Sequence, residues 1–161
     1  MDVHTPRQRS FNMSRIQGKN TRPEMKVRKW LWTSGYRYRL HRKDLPGKPD
    51  IVLPKYHAVI FIHGCFWHRH GCKATTIPAS NTESWCKKFN ENVARDIDHI
   101  EALQNAGWRV AIIWECTIKA NIGVSNKLAK EVRDWLNSFV EPSNQHPHLP
   151  FQPRLQSLLS G

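Results

Sequence analysis

The run Ala58-Val59-Ile60-Phe61-Ile62 leads without a break into His63-Gly64-Cys65-Phe66-Trp67-His68-Arg69-His70-Gly71-Cys72. Consecutive apolar residues of this β-branched and aromatic kind specify a buried strand. The stretch after it specifies a loop at the strand's end, crowded with three imidazoles, two thiols and two large aromatic rings. Imidazole and thiolate are the ligands zinc prefers, and imidazole is also the usual proton carrier near neutral pH. An exposed Phe-Trp pair is costly unless something covers it, and a stack of bases is one such cover. The loop therefore reads as a metal site, a catalytic site or a wedge for nucleic acid.

Working outward, Leu45-Pro46-Gly47-Lys48-Pro49-Asp50 forms a turn into the short apolar strand Ile51-Val52-Leu53. Pro54-Lys55 turns the chain again into a strand over Tyr56–His63, so the two strands predict a hairpin. Upstream, Thr21 with Glu24 makes a capping box, and Pro23 suits a first helical turn. The helix runs to Ser34 and stops at Gly35, with Met25, Val27, Trp30 and Leu31 as its apolar side; Tyr36–Leu40 follows as a strand. Downstream, a long helix spans Thr82 to Ala106, capped by Ser80 with Glu83 and stopped by Gly107. Its apolar residues Trp85, Phe89, Val93, Ile97, Ile100 and Leu103 keep helical spacing. Trp108–Trp114 is a strand covered on both faces. Ser125 caps a last helix carrying Leu128, Val132, Trp135, Leu136 and Phe139. The order α-β-β-β-α-β-α predicts an α/β architecture, a mixed sheet flanked by helices. Residues 1–20 read as a mobile basic arm, 21–141 as the domain, and 142–161, rich in Pro, Asn, Gln and His, as a flexible tail.

With 161 residues the chain suits one domain. It carries 25 Lys+Arg against 13 Asp+Glu, a net charge of +12, and its mean hydropathy is -0.62. Residues 1–50 hold 13 of the basic side chains and 4 of the acidic ones, a bias that points to a polyanion, with nucleic acid ahead of an anionic membrane. No apolar stretch is long enough for a membrane span. The N-terminus lacks the apolar core of a signal peptide, which predicts a cytoplasmic, reducing setting. There Cys65, Cys72, Cys86 and Cys116 read as ligands or buried thiols rather than disulfides.

His70 and Cys72 are a metal pair lacking a second pair nearby. Four-coordinate zinc needs two more ligands, and Cys116, just past the strand Trp108–Trp114, and Asp96 in the long helix are available. A buried thiol at Cys116 and a solvated His70 are the alternative. Cys65 and Cys86 are weaker ligands, since free cysteine often acts as a small apolar core residue. Asp50 starts one hairpin strand and His63 ends the other, so carboxylate and imidazole come together. With His68 and Glu24 they make a possible Mg²⁺ site, in which Asp50 and a strand-end carbonyl such as that of Ile62 supply oxygen ligands. Such an ion activates water and stabilises a phosphodiester under attack. Taken singly, Asp50 is better explained as a turn residue and Glu24 as a helix cap.

Five segments resemble the very-short-patch repair (Vsr) DNA mismatch endonucleases, in the family's order and spacing. They are Asn12-Met13-Ser14-Arg15-Ile16, Leu45–Val52, Val59–Cys72, Asn92–Asp96 and Gly107–Cys116, and His-Gly-Cys-Phe-Trp-His is the most specific. The resemblance implies a restriction-endonuclease-like fold with a structural zinc. It also implies Mg²⁺-dependent cleavage of one strand 5′ to the thymine of a T·G mismatch, beside a cytosine-5 DNA methyltransferase. Position by position, Asp50 matches the Mg²⁺ carboxylate and Ile62 the backbone-carbonyl ligand. Many members have threonine at the latter position, a difference without consequence for a main-chain ligand. Glu24 and His63 match residues contacting the ion's water shell, and His68 the histidine at the scissile phosphate. His70, Cys72, Asp96 and Cys116 match the zinc ligands. Phe66 and Trp67, with Met13 and Ile16 from the arm, match side chains that insert between base pairs, and Trp85 is available to the same aromatic surface. Arg69 and Gly71 interrupt what is often a longer histidine run. One nick needs one active site, so a monomer suffices. The rival readings are a sequence-specific restriction-type nuclease and a non-catalytic zinc-containing DNA-binding module.

Overall fold

A computed structural model describes residues 5, 7, 8, 11, 14, 18–119 and 124–138. Met13 and Ile16, most of the arm, Phe139 and the tail lie outside these. The first helix, α1 (Arg22–Thr33), starts as expected: Thr21 caps it, its hydroxyl accepting from the Glu24 N–H. Gly35, with φ +88, ends it in the left-handed region glycine tolerates. The next residue is drawn into the same cap, the Tyr36 N–H donating to the Leu31 carbonyl. Tyr36 is buried against Trp30 and Tyr56. This capping and burial shorten the expected strand Tyr36–Leu40 to β1 (Arg39–Leu40).

The hairpin is formed by β2 (Ile51–Leu53) and β3 (Ala58–His63). A 3-10 turn over Pro54–Tyr56 replaces the first residues of the strand expected from Tyr56. Helix α2 (Thr82–Asn105) then crosses to β4 (Arg109–Trp114). Asn81 occupies its cap position in a left-handed conformation and makes no side-chain cap bond, in place of the expected Ser80 box. The turn is closed instead by the Thr82 hydroxyl, which donates to the Pro78 and Ala79 carbonyls. A short helix, α3 (Glu115–Lys119), was not signalled by periodicity. The last helix, α4 (Asn126–Asn137), is capped by Ser125 as expected.

The sheet order is β1-β2-β3-β4, antiparallel except for the parallel pair β3/β4. A parallel pair requires a crossover, which α2 supplies. Side chains alternate between two faces. Ile60 and Ile113 join Val27, Leu31, Leu128 and Val132 of α1 and α4. Val59, Phe61 and Ile112 join Leu103 of α2. Each fully buried aliphatic side chain contributes about 1.5–3 kcal/mol, so β3, covered on both faces, anchors the molecule. Asp50 and His63 share the parity of Val52 and Phe61 and thus face α2.

Candidate active site and metal centre

A cleft of about 710 Å³ opens where the ends of β2 and β3 meet α1 and α2, and Glu24, Asp50, Ile62, His63, His68 and Asp96 line it. The hairpin pairing sets Asp50 beside the Ile62 main chain, and the Asp50 carboxylate accepts from the Ile62 N–H at 2.8 Å. Gly47 shapes the approach: it has φ +69, and a Cβ there would stand 2.9 Å from Nδ1 of His99 on α2. Only glycine lets the turn carrying Asp50 lie this close to the helix. Burial pushes the Asp50 carboxyl up to about 6, against the Ile62 N–H bond, and the Glu24 charge pushes the same way. A cation among these oxygens would relieve both strains.

His63 ends β3, is buried, and stacks on His68 with ring centroids 3.8 Å apart. Burial, with the neighbouring His68 ring acting in the same direction, pushes its pKa down to about 3, so it is neutral at physiological pH. His68 Nδ1 lies 2.5 Å from Asp96 Oδ2. A carboxylate accepts, so Nδ1 carries the proton of this bond and Nε2 is left for proton transfer. Glu24 is buried at the start of α1 and paired with Arg28 at 2.6 Å.

The metal ligands regroup relative to expectation. Cys65, His70, Cys72 and Cys116 present ligand atoms that all lie within 4.8 Å of one another. Asp96 stands instead with His63 and His68. The structure thus sets Asp96, expected as a zinc ligand, on a face of α2 that lines the cleft, and Cys65 takes the fourth place in the Cys/His cluster. The parallel register was the signal that could have found it. His63 pairs with Trp114, so Cys65 and Cys116 each stand two residues past paired strand ends. His70 Nδ1 lies 3.4 Å from Cys116 Sγ and 3.7 Å from Cys65 Sγ. Zinc–ligand bonds of about 2.0–2.3 Å in a tetrahedron set such separations at about 3.6 Å. The Ala74 N–H lowers the Cys72 thiol pKa, whereas burial raises that of Cys116 and pushes Cys65 up to about 12. A bound cation would hold all three as thiolates.

Phe66 and Trp67 are half-buried rather than bare. Phe66 meets Trp67, Trp85 and Phe89 edge-on at centroid distances of 5.1, 5.6 and 5.1 Å. The Asn92 amide donates to the Trp67 carbonyl at 3.3 Å. Trp85 and Phe89 of α2 thus supply the cover that two adjacent aromatics on a loop need. Lys43, Lys48 and Arg95 put positive charge on the cleft walls.

No helix among the described residues is long and apolar enough to cross a membrane. The sequence model of a family described as DNA mismatch endonuclease Vsr matches residues 1–74. A type II nicking enzyme of Xanthomonas oryzae, V.XorIIP, is 45% identical over 133 residues, covering 83% of this chain and 97% of its own. A type II nicking enzyme of Neisseria meningitidis, V.NmeAIP, is 45% identical over 137 residues, again covering 83% and 97%. The DNA mismatch endonuclease Vsr of Escherichia coli is 40% identical over 136 residues, covering 84% of this chain and 87% of its own. Similarity of this extent, over the segments that build both the cleft and the cluster, shows that the chain belongs to the Vsr family of DNA endonucleases.

Proposed function

We propose that this protein nicks one strand of duplex DNA 5′ to the thymine of a T·G mismatch, the product of 5-methylcytosine deamination, by Mg²⁺-dependent hydrolysis. The observation that carries the proposal is the cleft, where a buried carboxylate and a carboxylate-backed histidine face one another across a space lined with positive charge. Asp50 and the Ile62 carbonyl are the protein ligands for Mg²⁺, with Glu24 and His63 placed to order water around them. Bound there, the ion would supply an activated water and neutralise the phosphate charge. Asp96 holds His68 with Nε2 free, and that nitrogen takes the proton as the water oxygen attacks phosphorus and the P–O bond to the leaving oxygen breaks.

The domain is read as a restriction-endonuclease-like fold over residues 21–141, with residues 1–20 as a DNA-contacting arm. Zinc is the metal that suits one nitrogen and three sulfur donors at this spacing, and Cys65, His70, Cys72 and Cys116 would hold it as a brace for the loop. Phe66 and Trp67, with Met13 and Ile16 of the arm, are the wedge. Unstacking costs a few kcal/mol per step, least at a mispair, so the wedge favours mismatched sites. The enzyme acts as a monomer in the cytoplasm, beside a cytosine-5 methyltransferase.

The test compares T·G and C·G duplexes in several sequence contexts, with and without Mg²⁺. Nicking confined to T·G with Mg²⁺ is expected, and Asp50→Ala should retain DNA binding while losing the nick. Equal cutting of matched duplexes would favour a restriction-type specificity, and Mg²⁺-dependent nicking by Asp50→Ala would overturn the assignment.

A further inference from the structure

Arg28 is almost fully buried, one helical turn beyond Glu24. Its guanidinium gathers three segments of the chain. NH2 donates to Glu24 Oε2 at 2.6 Å and to His41 Nε2 at 2.9 Å, and NH1 donates to Asn20 Oδ1 at 2.6 Å. A guanidinium has no acceptor, so the His41 ring is neutral at this contact and offers a lone pair. The same Glu24 oxygen also accepts from the Asn20 N–H at 2.9 Å, and its other oxygen from the Thr21 hydroxyl at 3.1 Å. Asn20 itself has φ +56, a conformation asparagine adopts more readily than most residues. Glu24, buried beside a second carboxylate, is thus fixed at both oxygens.

Stability alone is a poor reason for this arrangement. A buried ion pair often contributes less than an apolar pair of the same volume. Arg28 Nε, moreover, is buried with no hydrogen-bond partner among the described residues. The helix needs only the Thr21–Glu24 cap, which Arg28 does not complete. The guanidinium does serve the cleft, where Glu24, His41 and Asp50 are all wall residues and the Glu24 charge acts on the Asp50 carboxyl.

We propose that Arg28 is the positioning residue of the active site, its forked guanidinium holding Glu24 in one orientation in the cleft it shares with Asp50 and locking His41 and Asn20 to the same point. It touches neither DNA nor the reacting phosphate, and acts through Glu24. The proposal rests on the cleft being the nicking centre described above.

The test uses the full-length protein as wild type, Arg28→Lys, Arg28→Met and Arg28→Met/Glu24→Gln. Single-turnover nicking of a T·G duplex gives the rate. Binding of the same duplex without added Mg²⁺ gives the affinity, and thermal melting without Mg²⁺ reads the pairing. Arg28→Met should slow the nick about 100-fold, the scale of a misplaced catalytic group, with Kd changed less than about twofold. Arg28→Lys, which keeps the charge but not the fork, should fall between. The double variant should melt above Arg28→Met, because its second substitution removes a carboxylate stranded without a partner. A wild-type rate in Arg28→Met overturns the proposal. So does a loss of affinity as large as the loss of rate, or a double variant no more stable than Arg28→Met. If Arg28→Met does not fold, Arg28→Lys decides: a slower nick at unchanged Kd supports positioning, and a wild-type rate overturns it. A wild type unable to nick any duplex would remove the underlying functional reading, whereas the melting order would still report whether Arg28 and Glu24 are coupled.

Discussion

Two carboxylate and thiol assignments separate cleanly by measurement. Cys65→Ser removes a cluster ligand, so the purified variant should lose bound zinc and melt lower. Asp96→Asn should keep its zinc and instead slow nicking by about 10²–10⁴-fold, the usual worth of an oriented general base. Metal content of the two proteins checks both, and zinc loss from Asp96→Asn would restore the ligand set expected from sequence. His63 adds a pH signature. Its folded pKa, near 3, lies below the unfolded value near 6.5, so the unfolded chain takes the proton first as pH falls. Its contribution to stability is complete above about 6.5 and is lost progressively toward about 3. Asp50, raised to about 6, opposes this, because its folded carboxyl is protonated before its unfolded one and stability is regained as pH falls through about 6. Melting of the Mg²⁺-free protein between pH 7 and 4 should therefore show a steeper acid loss in wild type than in His63→Gln. Parallel curves would mean that His63 is not held neutral.

At the scale of elements, the parallel pair β3/β4 and helix α2 do most of the placing. The pair brings the loop after β3 alongside Cys116, and α2 lays Trp85, Phe89, Asn92 and Asp96 along that loop. The near-continuous burial of β3 and β4, the caps at Thr21 and Ser125 and the stop at Gly107 were legible because each is a local pattern. The left-handed Asn81 start, helix α3 and the late start of β1 were not, since each depends on contacts made after the chain folds. The partner of Asp96 was hidden for the same reason: spacing on a helix gives a face but not what lies opposite. Because Phe66 and Trp67 pack on Trp85 and Phe89 of α2 rather than on the strands, they can be truncated without opening the sheet. Phe66→Ala/Trp67→Ala should weaken binding to a T·G duplex much more than to a matched one. Equal losses on both would show that these rings hold the loop rather than test the base stack.

For the whole molecule, a net charge of +12 predicts affinity that falls steeply with salt, because each neutralised phosphate releases counterions. Lys48→Ala, at the cleft wall, should lower the slope of log K against log salt by about 1 while leaving the T·G preference unchanged. A change of preference would make Lys48 a reader of bases rather than of phosphate. Charge and class were readable from composition, and the family from the His-Gly-Cys-Phe-Trp-His stretch. The grouping of residues far apart in the chain needed the fold. That distance along the chain also bears on when the enzyme becomes dangerous. A nascent polypeptide exposes Asp50, His63 and His68 early, yet Asp96, β4 and Cys116 follow later, and β3 finds its parallel neighbour only after the crossover has been made. Non-local pairing of this kind forms late. The cleft is thereby completed only after the crossover and β4 have been made, so an unfinished copy lacks the Asp96 wall that backs His68.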